Sequence, residues 1–344
     1  MQPPGNFLQL CLHINTLYPY LLCMDVFVVD ISAFWLWFID QSVIRVSNPL
    51  PDVPEFARAT VQANQLPEQE LAALGFHRPI HLAVPTRSAR RPSSSLTCHL
   101  FSSPPPYSFV RVSPHVYVEA PIPTLVKMAP RLPTGTLVRI LNRLLASYQL
   151  KDDGIVKRQP LATKHQLERF VWRPYGIRGV KAVQRLLPYL VENLASPEEV
   201  RLAALLFLPI HLGGQGLPLA SANAPIHTVG TSMSTMRYGD LFWQEWKLIL
   251  EYDSDLHHNS NNDIGRDSAR RAQLQAGGYH VVTMTRHQLH EPAAFRDTVL
   301  ALKHAMGNLA VSGEKTLPLA SFTQEEIQLR RELYGINLAQ TLGL

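Results

Sequence analysis

Residues 237–253, RYGDLFWQEWKLILEYD, hold two strand-like runs, 237–243 and 247–253, separated by the polar Gln244-Glu245-Trp246 region. Aromatic and aliphatic runs around a short polar break predict a β-hairpin. A symmetric turn between Glu245 and Trp246 sets Asp240 opposite Glu251, Phe242 opposite Ile249 and Tyr238 opposite Asp253. Directly opposed side chains have Cβ atoms about 4.5–5.5 Å apart. Successive residues alternate faces, so Asp240, Glu251 and Asp253 share one side, and Leu241, Trp243, Leu248, Leu250 and Tyr252 the other. Apart from the acids both faces are largely apolar, which predicts a buried central hairpin.

Like charges opposed in a buried sheet are destabilising unless a proton is shared or a cation intervenes. Mg²⁺ takes oxygen ligands at about 2.0–2.1 Å and commonly uses one or two carboxylates plus substrate phosphates. Asp240 and Glu251 are therefore a candidate divalent-metal site. The alternative is an asymmetric turn that sends one acid to solvent, where most Asp and Glu reside.

The flanks extend this sheet. Downstream, Asp253-Ser-Asp-Leu-His257-His258 places an imidazole four residues past an acid. RDSARRAQLQAGGYHVVTMT (266–285) predicts a helix capped by Asp267, a stop at Gly277-Gly278 and a strand over 279–285. Strand, helix and strand with a short crossover imply a parallel addition to the same sheet. Upstream, ASPEEVRLAALLFLP (195–209) opens with Ser196 as N-cap, Pro197 at the first helical position and Glu199 completing a capping box. HLGGQGLP (211–218) lacks the ending of a phosphate loop and reads as a connection.

Further upstream, DVFVVDI reads as a buried strand, and 71–83 as a turn and strand around FHRPIHLAV. Residues 86–107, rich in Ser, Pro and Arg, read as loops or a partial domain break. FVRVSPHVYVEAP predicts a hairpin, followed by helices over 122–129, 135–148, 166–171 and 179–194, with a polar stretch at 151–165. The expected organisation is an extension at 1–23, an α+β accessory region at 24–190, an α/β domain at 195–305 and a helical tail at 306–344. Met24 is an alternative translation start.

The 344 residues suffice for two modest domains, and 46% apolar against 17% charged residues excludes a wholly disordered chain. A net charge of +5 permits a polyanionic partner without requiring one. The three cysteines, Cys11, Cys23 and Cys98, fit neither a disulfide framework nor a zinc knuckle and favour a reducing cytoplasm. The apolar segment 7–39 carries Asp25, Asp30 and Pro19 and has no basic residue before Arg45, so neither a spanning helix nor a signal peptide is expected.

ASPEE (195–199), the Asp of RYGDLFW, LILEYDSDLHH (248–258) and DSARRAQLQAGGYHVVTMT (267–285) occur in one order. Together they resemble the bacterial very-short-patch-repair-like endonuclease domain of the broad PD-(D/E)xK restriction-endonuclease fold. Such domains typically read T-x-x-E on a first helix, an Asp, E-x-D-G-x-x-H, then D-x-x-R before G-[YW]-x-V. By position, Glu199, Asp240, Glu251, Asp253, His257, Asp267 and Arg270 match, over about a third of the chain. The departures are Ser254, where relatives usually carry Gly, and Asp253, which replaces the E-x-K lysine of the wider fold. The segment 113–129 bears a shorter likeness to the hairpin and helix that follow the DNA-binding part of abortive-infection antitoxins.

The resemblance implies an α/β fold with a mixed sheet flanked by helices, and a Mg²⁺- or Mn²⁺-dependent endonuclease acting on DNA. Asp240 and Glu251 would hold the metal with the Tyr252 carbonyl, with Asp253 a ligand or its neighbour. Glu199 would reach the site from the first helix, unless it is only the cap. His257, near pKa 6.5 when unperturbed, suits the role of base left by the missing lysine. Lys247 lies four residues from Glu251, roughly 13 Å along an extended strand, too far to substitute. Arg266, Arg270 and Arg271 are candidate DNA-phosphate contacts, although Asp267 and Arg270 also have the spacing of a surface ion pair. Two rivals stand beside this reading. One is a non-cleaving DNA-binding or antitoxin-like regulator on a degenerate nuclease fold; the other is a glycosyltransferase that uses D-x-D at Asp253 and Asp255.

Overall fold

The computed structural model describes residues 24–39, 48–151, 154–174, 176–229, 234–253, 271–307 and 323–334. The chain divides into two compact units, Met1–Thr124 and Leu125–Leu344. The 195–305 segment lies wholly within the second, and the 24–190 segment spans the boundary. Both units combine mixed sheets with helices, so the protein is of the α/β class.

The first unit is built on strands β1 (Val26–Val28), β2 (Ile80–Val84), β3 (Leu96–Leu100), β4 (Phe109–Ser113) and β5 (Val116–Glu119), in the order β3-β2-β1-β5-β4. β1 runs parallel to β5 and antiparallel to β2, while β2 and β3 are parallel. β4 and β5 form the antiparallel hairpin expected from FVRVSPHVYVEAP. DVFVVDI is only half a strand: β1 stops at Val28, and Asp30, with φ of 53°, opens helix α1 (Asp30–Phe38). An apolar run does not by itself separate a buried strand from a buried helix. DISAFWLWF is apolar almost all round, so α1 belongs in a core. Ala33, Phe34, Leu36, Trp37 and Phe38 are buried, and the Trp37 indole N–H donates to the Glu119 carbonyl at 2.6 Å.

A short helix α2 (Glu68–Ala73) precedes β2. The Ser/Pro/Arg-rich 86–107 stretch, read as loops, contains β3. Its buried Leu96 and Cys98 alternate with half-exposed Thr97 and His99, a pattern too short to stand out among the surrounding turn residues. On the core side Phe27 stacks on Tyr117 at 4.8 Å and meets Phe56 and Phe109 edge-on at 4.9 and 5.1 Å. Such pairs add about 0.5–1.5 kcal/mol each beyond their burial.

In the second unit, helix α3 (Pro121–Met128), which begins just before the boundary, leads to α4 (Thr134–Leu145). α4 ends before Tyr148, where β6 (Tyr148–Lys151) and β7 (Gly154–Lys157) form a small hairpin inside the stretch read as helix end and polar connection. Helices α5 (Lys164–Val171), α6 (Val180–Leu186) and α7 (Pro197–Phe207) follow. α7 starts at the expected cap, where the Ser196 hydroxyl accepts the Glu199 N–H at 3.1 Å with Pro197 at the first position. The expected capping box does not close, because the Glu199 carboxylate takes the Ala195 N–H instead of that of Ser196.

The main sheet comprises β8 (Ser221–Val229), β9 (Ser234–Trp243), β10 (Leu248–Asp253) and β11 (His280–Thr285), in the order β11-β10-β9-β8. β9–β10 is the expected hairpin, with the expected register over Leu241 opposite Leu250, Phe242 opposite Ile249 and Trp243 opposite Leu248; the ladder ends there and does not include the expected pairs Asp240–Glu251 and Tyr238–Asp253. β11 adds parallel to β10, as the strand-helix-strand pattern predicts. β8 was not legible, because SANAPIHTV carries a proline and small polar residues. Helices α8 (Arg286–His290), α9 (Pro292–Ala305) and α10 (Gln324–Tyr334) complete the unit. α10 packs so closely on α4 that a Cβ at Gly135 would lie 2.7 Å from the Glu332 Cβ; the Glu332 carboxylate accepts the Gly135 N–H at 2.6 Å. Among the described residues no helix is long and apolar enough to cross a membrane.

Candidate functional site

The β9–β10 ladder pairs regularly as far as Leu241 and Leu250. One residue further, an Asp240 carboxylate oxygen accepts the Tyr252 N–H at 2.7 Å. A side-chain acceptor there takes the part that a strand carbonyl plays in a continuing ladder. β10 itself runs on to Asp253, held from its other edge by β11 through Glu251 opposite Thr283 and Asp253 opposite Thr285. Asp240 is thereby bonded to the backbone next to Glu251, at the centre of the sheet. Asp240, Glu251 and Asp253 are all partly buried, and one Glu251 carboxylate oxygen is fully shielded from solvent.

Two features of the β8–β9 pair flank Asp240. Asn223 and Asp240 lie between the pairs Ala222–Leu241 and Ala224–Gly239, and Asn223 has a left-handed φ of 49°. Beside it, a Cβ on Gly239 would come within 2.9 Å of Ile249 and 3.0 Å of Ile226. Only glycine lets these two buried isoleucines close over the strand. They belong to a small core with Leu274, partly covered by Phe242, Tyr279 and Val281.

Glu199 is accounted for by local bonds. Its carboxylate accepts the Ala195 N–H at 2.8 Å, the Ser196 hydroxyl at 2.9 Å and the Asn223 amide at 2.8 Å. Burial raises its pKa, and the three hydrogen bonds oppose that rise. The carboxylate braces the Ser196 cap of α7 and ties it to β8. Its neighbour Glu198, which the sequence did not single out, pairs with Arg201 and lies 3.8 Å from the His290 imidazole. Burial lowers the pKa of His290 and Glu198 opposes the shift. Two adjacent glutamates on a helix start look alike in sequence; only the fold separates the cap from the ion pair.

Arg271 is exposed on the helical residues 271–276. His257, Arg266, Asp267 and Arg270 lie outside the described residues. Lys247 occupies the hairpin turn with φ of 44°, at the end of β10 remote from Asp253.

A second group was missed altogether. Asp30, His81 and His99 of the first unit each offer one donor atom, and these atoms all lie within 4.8 Å of one another. Among the described residues this is the only set of three or more carboxylate, imidazole or thiolate groups so placed, and it can hold a metal ion. Asp30 opens α1, while His81 and His99 lie on the parallel strands β2 and β3 with Ala83 opposite His99. No spacing in the sequence marks three residues separated by 51 and 18 positions. Asp240 and Glu251, two hard oxygen donors on adjoining strands, suit a different ion: Mg²⁺ and Mn²⁺ are commonly held by one or two carboxylates.

Two uncharacterized proteins of Mycobacterium tuberculosis, MT2308 from strain CDC 1551 and Rv2248 from strain H37Rv, are each 29% identical to the chain over 150 residues. The match covers 44% of this chain and 52% of each relative, so the chain spans about half the length of the curated relatives it matches. No protein-family model matches the chain. No solved structure matches it.

Proposed function

We propose that the second unit is a very-short-patch-repair-like DNA endonuclease that hydrolyses phosphodiesters with Mg²⁺ or Mn²⁺ at Asp240 and Glu251. The observation that carries this reading is the Asp240–Tyr252 bond, which anchors one acid against the strand segment bearing the other. Two carboxylates fixed on adjoining strands fit a small hard cation, which would supply charge to polarise a phosphate oxygen and to acidify a bound water. Asp253 lies two residues beyond Glu251 on β10 and bounds the site on the same strand face. His257 is the proposed base for the attacking water, in place of the lysine that Asp253 replaces. Arg266, Arg270 and Arg271 are the proposed phosphate contacts, and Glu199 acts through the α7–β8 junction rather than on the water. DNA as substrate and the free thiol of Cys98 favour the cytoplasm.

The second reading is a non-cleaving DNA-binding regulator, favoured by Asp253 at the position of the lysine. Plasmid cleavage with Mg²⁺ or Mn²⁺, comparing the parent with Asp240→Asn and Glu251→Gln, separates the two. Asparagine keeps an oxygen for the Tyr252 N–H, so Asp240→Asn removes charge while sparing the strand. Cutting by the parent alone supports the endonuclease, and equal cutting by all three rejects the site. A gel shift with no cutting by any of them selects the regulator.

A further inference from the structure

We propose that Asp30, His81 and His99 form a binding site for a divalent transition-metal ion of the zinc class, which fastens the start of α1 to the β2–β3 pair. The site belongs to the first unit and is independent of the endonuclease reading. His81 Nδ1 lies 3.9 Å from one Asp30 carboxylate oxygen, and His99 Nδ1 lies 3.9 Å from the other. The two imidazoles stack with centroids 5.0 Å apart and planes 29° from parallel, and His99 Nε2 is 3.0 Å from His81 Nδ1. Donors bound tetrahedrally to Zn²⁺ at about 2.0–2.2 Å sit roughly 3.3–3.6 Å from each other. Each ring gives an ion one nitrogen, so the 3.0 Å contact is a hydrogen bond between the rings that the ion would replace, drawing in a set of three donor atoms that lie within 4.8 Å of one another.

The scaffold holds all three donors. The Val29 N–H donates to the His81 carbonyl at 2.9 Å, and the His81 N–H donates to the Ser32 hydroxyl at 3.1 Å. These bonds flank Asp30 on both sides and tie it to β2. Asp30 itself sits at a positive φ that aspartate and asparagine tolerate better than most residues. His99 is fixed by the parallel register of β3 on β2. The side chains are 17%, 18% and 27% exposed at His81, Asp30 and His99, enough for an ion to enter and for water to complete its coordination. Two imidazoles and one carboxylate select a borderline metal over Mg²⁺ or Ca²⁺, which prefer all-oxygen sites. Three protein ligands with a position left to water is the composition of an open zinc site.

The test uses the full-length chain carrying Asp240→Asn and Glu251→Gln, so that the second unit's acids do not contribute. After removal of metal with EDTA, the protein is titrated with Co²⁺ and with Zn²⁺, and its thermal midpoint is recorded with and without Zn²⁺. The expected result is one ion per chain, strong visible Co²⁺ absorption lost on adding Zn²⁺, no displacement by a hundredfold excess of Mg²⁺, and a higher midpoint with Zn²⁺. His81→Ala and His99→Ala each weaken binding by at least about 100-fold and abolish the rise in midpoint. Should an alanine variant fail to fold, Asp30→Asn decides, since it keeps the shape and the backbone preference while removing the charged ligand. Absence of binding by the parent chain, displacement by Mg²⁺, or parent-like titration of folded Asp30→Asn, His81→Ala and His99→Ala would overturn the proposal.

Discussion

The two candidate ion sites are assembled in opposite ways. Asp240 and the strand segment bearing Glu251 are joined within one hairpin, so eleven positions of sequence carry the information that links them. Asp30, His81 and His99 come from the start of α1, which follows β1 directly, and from β2 and β3, and only the sheet order β3-β2-β1 makes them neighbours. The donors differ as well: carboxylates alone in one unit, two imidazoles and a carboxylate in the other. Local pairing yields a site that spacing can propose; long-range pairing yields one that spacing cannot.

The largest effect that tests this contrast is reciprocal loss. Asp240→Asn or Glu251→Gln is expected to reduce Mg²⁺-dependent cleavage about 10³-fold, corresponding to roughly 4 kcal/mol of lost charge stabilisation. The same variants retain the Co²⁺ absorption assigned to the first unit. A variant of one site that silences both would show that the two are not separate, and would break the comparison.

That prediction also marks how far the sequence could be read. The β9–β10 register, the parallel addition of β11 and the Ser196 cap of α7 all follow from local patterns, because each partner lies within a short stretch or one crossover. β3 and β8 did not, since each is short of β-branched alternation and owes its strand conformation to neighbours it pairs with. The boundary at Val28–Asp30 was missed for another reason: DISAFWLWF is apolar almost all round apart from Asp30 and Ser32, and neither helical nor strand periodicity is visible in it. The first metal group was lost with those elements, for it contains the residue that opens α1 and one from β3.

Next in size is Gly239→Ala. The added methyl would meet Ile249 and Ile226 at 2.9 and 3.0 Å, both fully or nearly buried, so the variant is expected to lose about 1–3 kcal/mol in a denaturant titration. Because Gly239 adjoins Asp240, cleavage should fall with the displaced strand while Co²⁺ binding in the first unit is unchanged. Stability and cleavage equal to those of the parent would show that β9 yields easily and that close packing does not fix Asp240. Ser196→Ala comes below it: removing the hydroxyl that accepts the Glu199 N–H is expected to cost about 1 kcal/mol, read from the same titration.

The smallest effect separates the two roles that a glutamate at the start of α7 can play. Burial raises the Glu199 pKa above its ordinary 4.5, so the folded chain retains this proton over a pH range in which the unfolded chain has released it. Stability from this group is therefore highest below the unfolded-state value and declines as pH rises through the folded-state value. Glu199→Gln keeps an oxygen for the Ala195 N–H or the Asn223 amide and has no such titration. The difference in urea midpoint between Glu199→Gln and the parent should thus shift in favour of the variant between pH 4 and pH 8. If Glu199 serves only to hold α7 against β8, DNA cleavage by Glu199→Gln under Mg²⁺ keeps the parent's pH profile even as the stability slope flattens. A cleavage profile that loses its limb in the same pH range would instead place this carboxyl among the groups that handle the reacting water, and would enlarge the acid site beyond its hairpin.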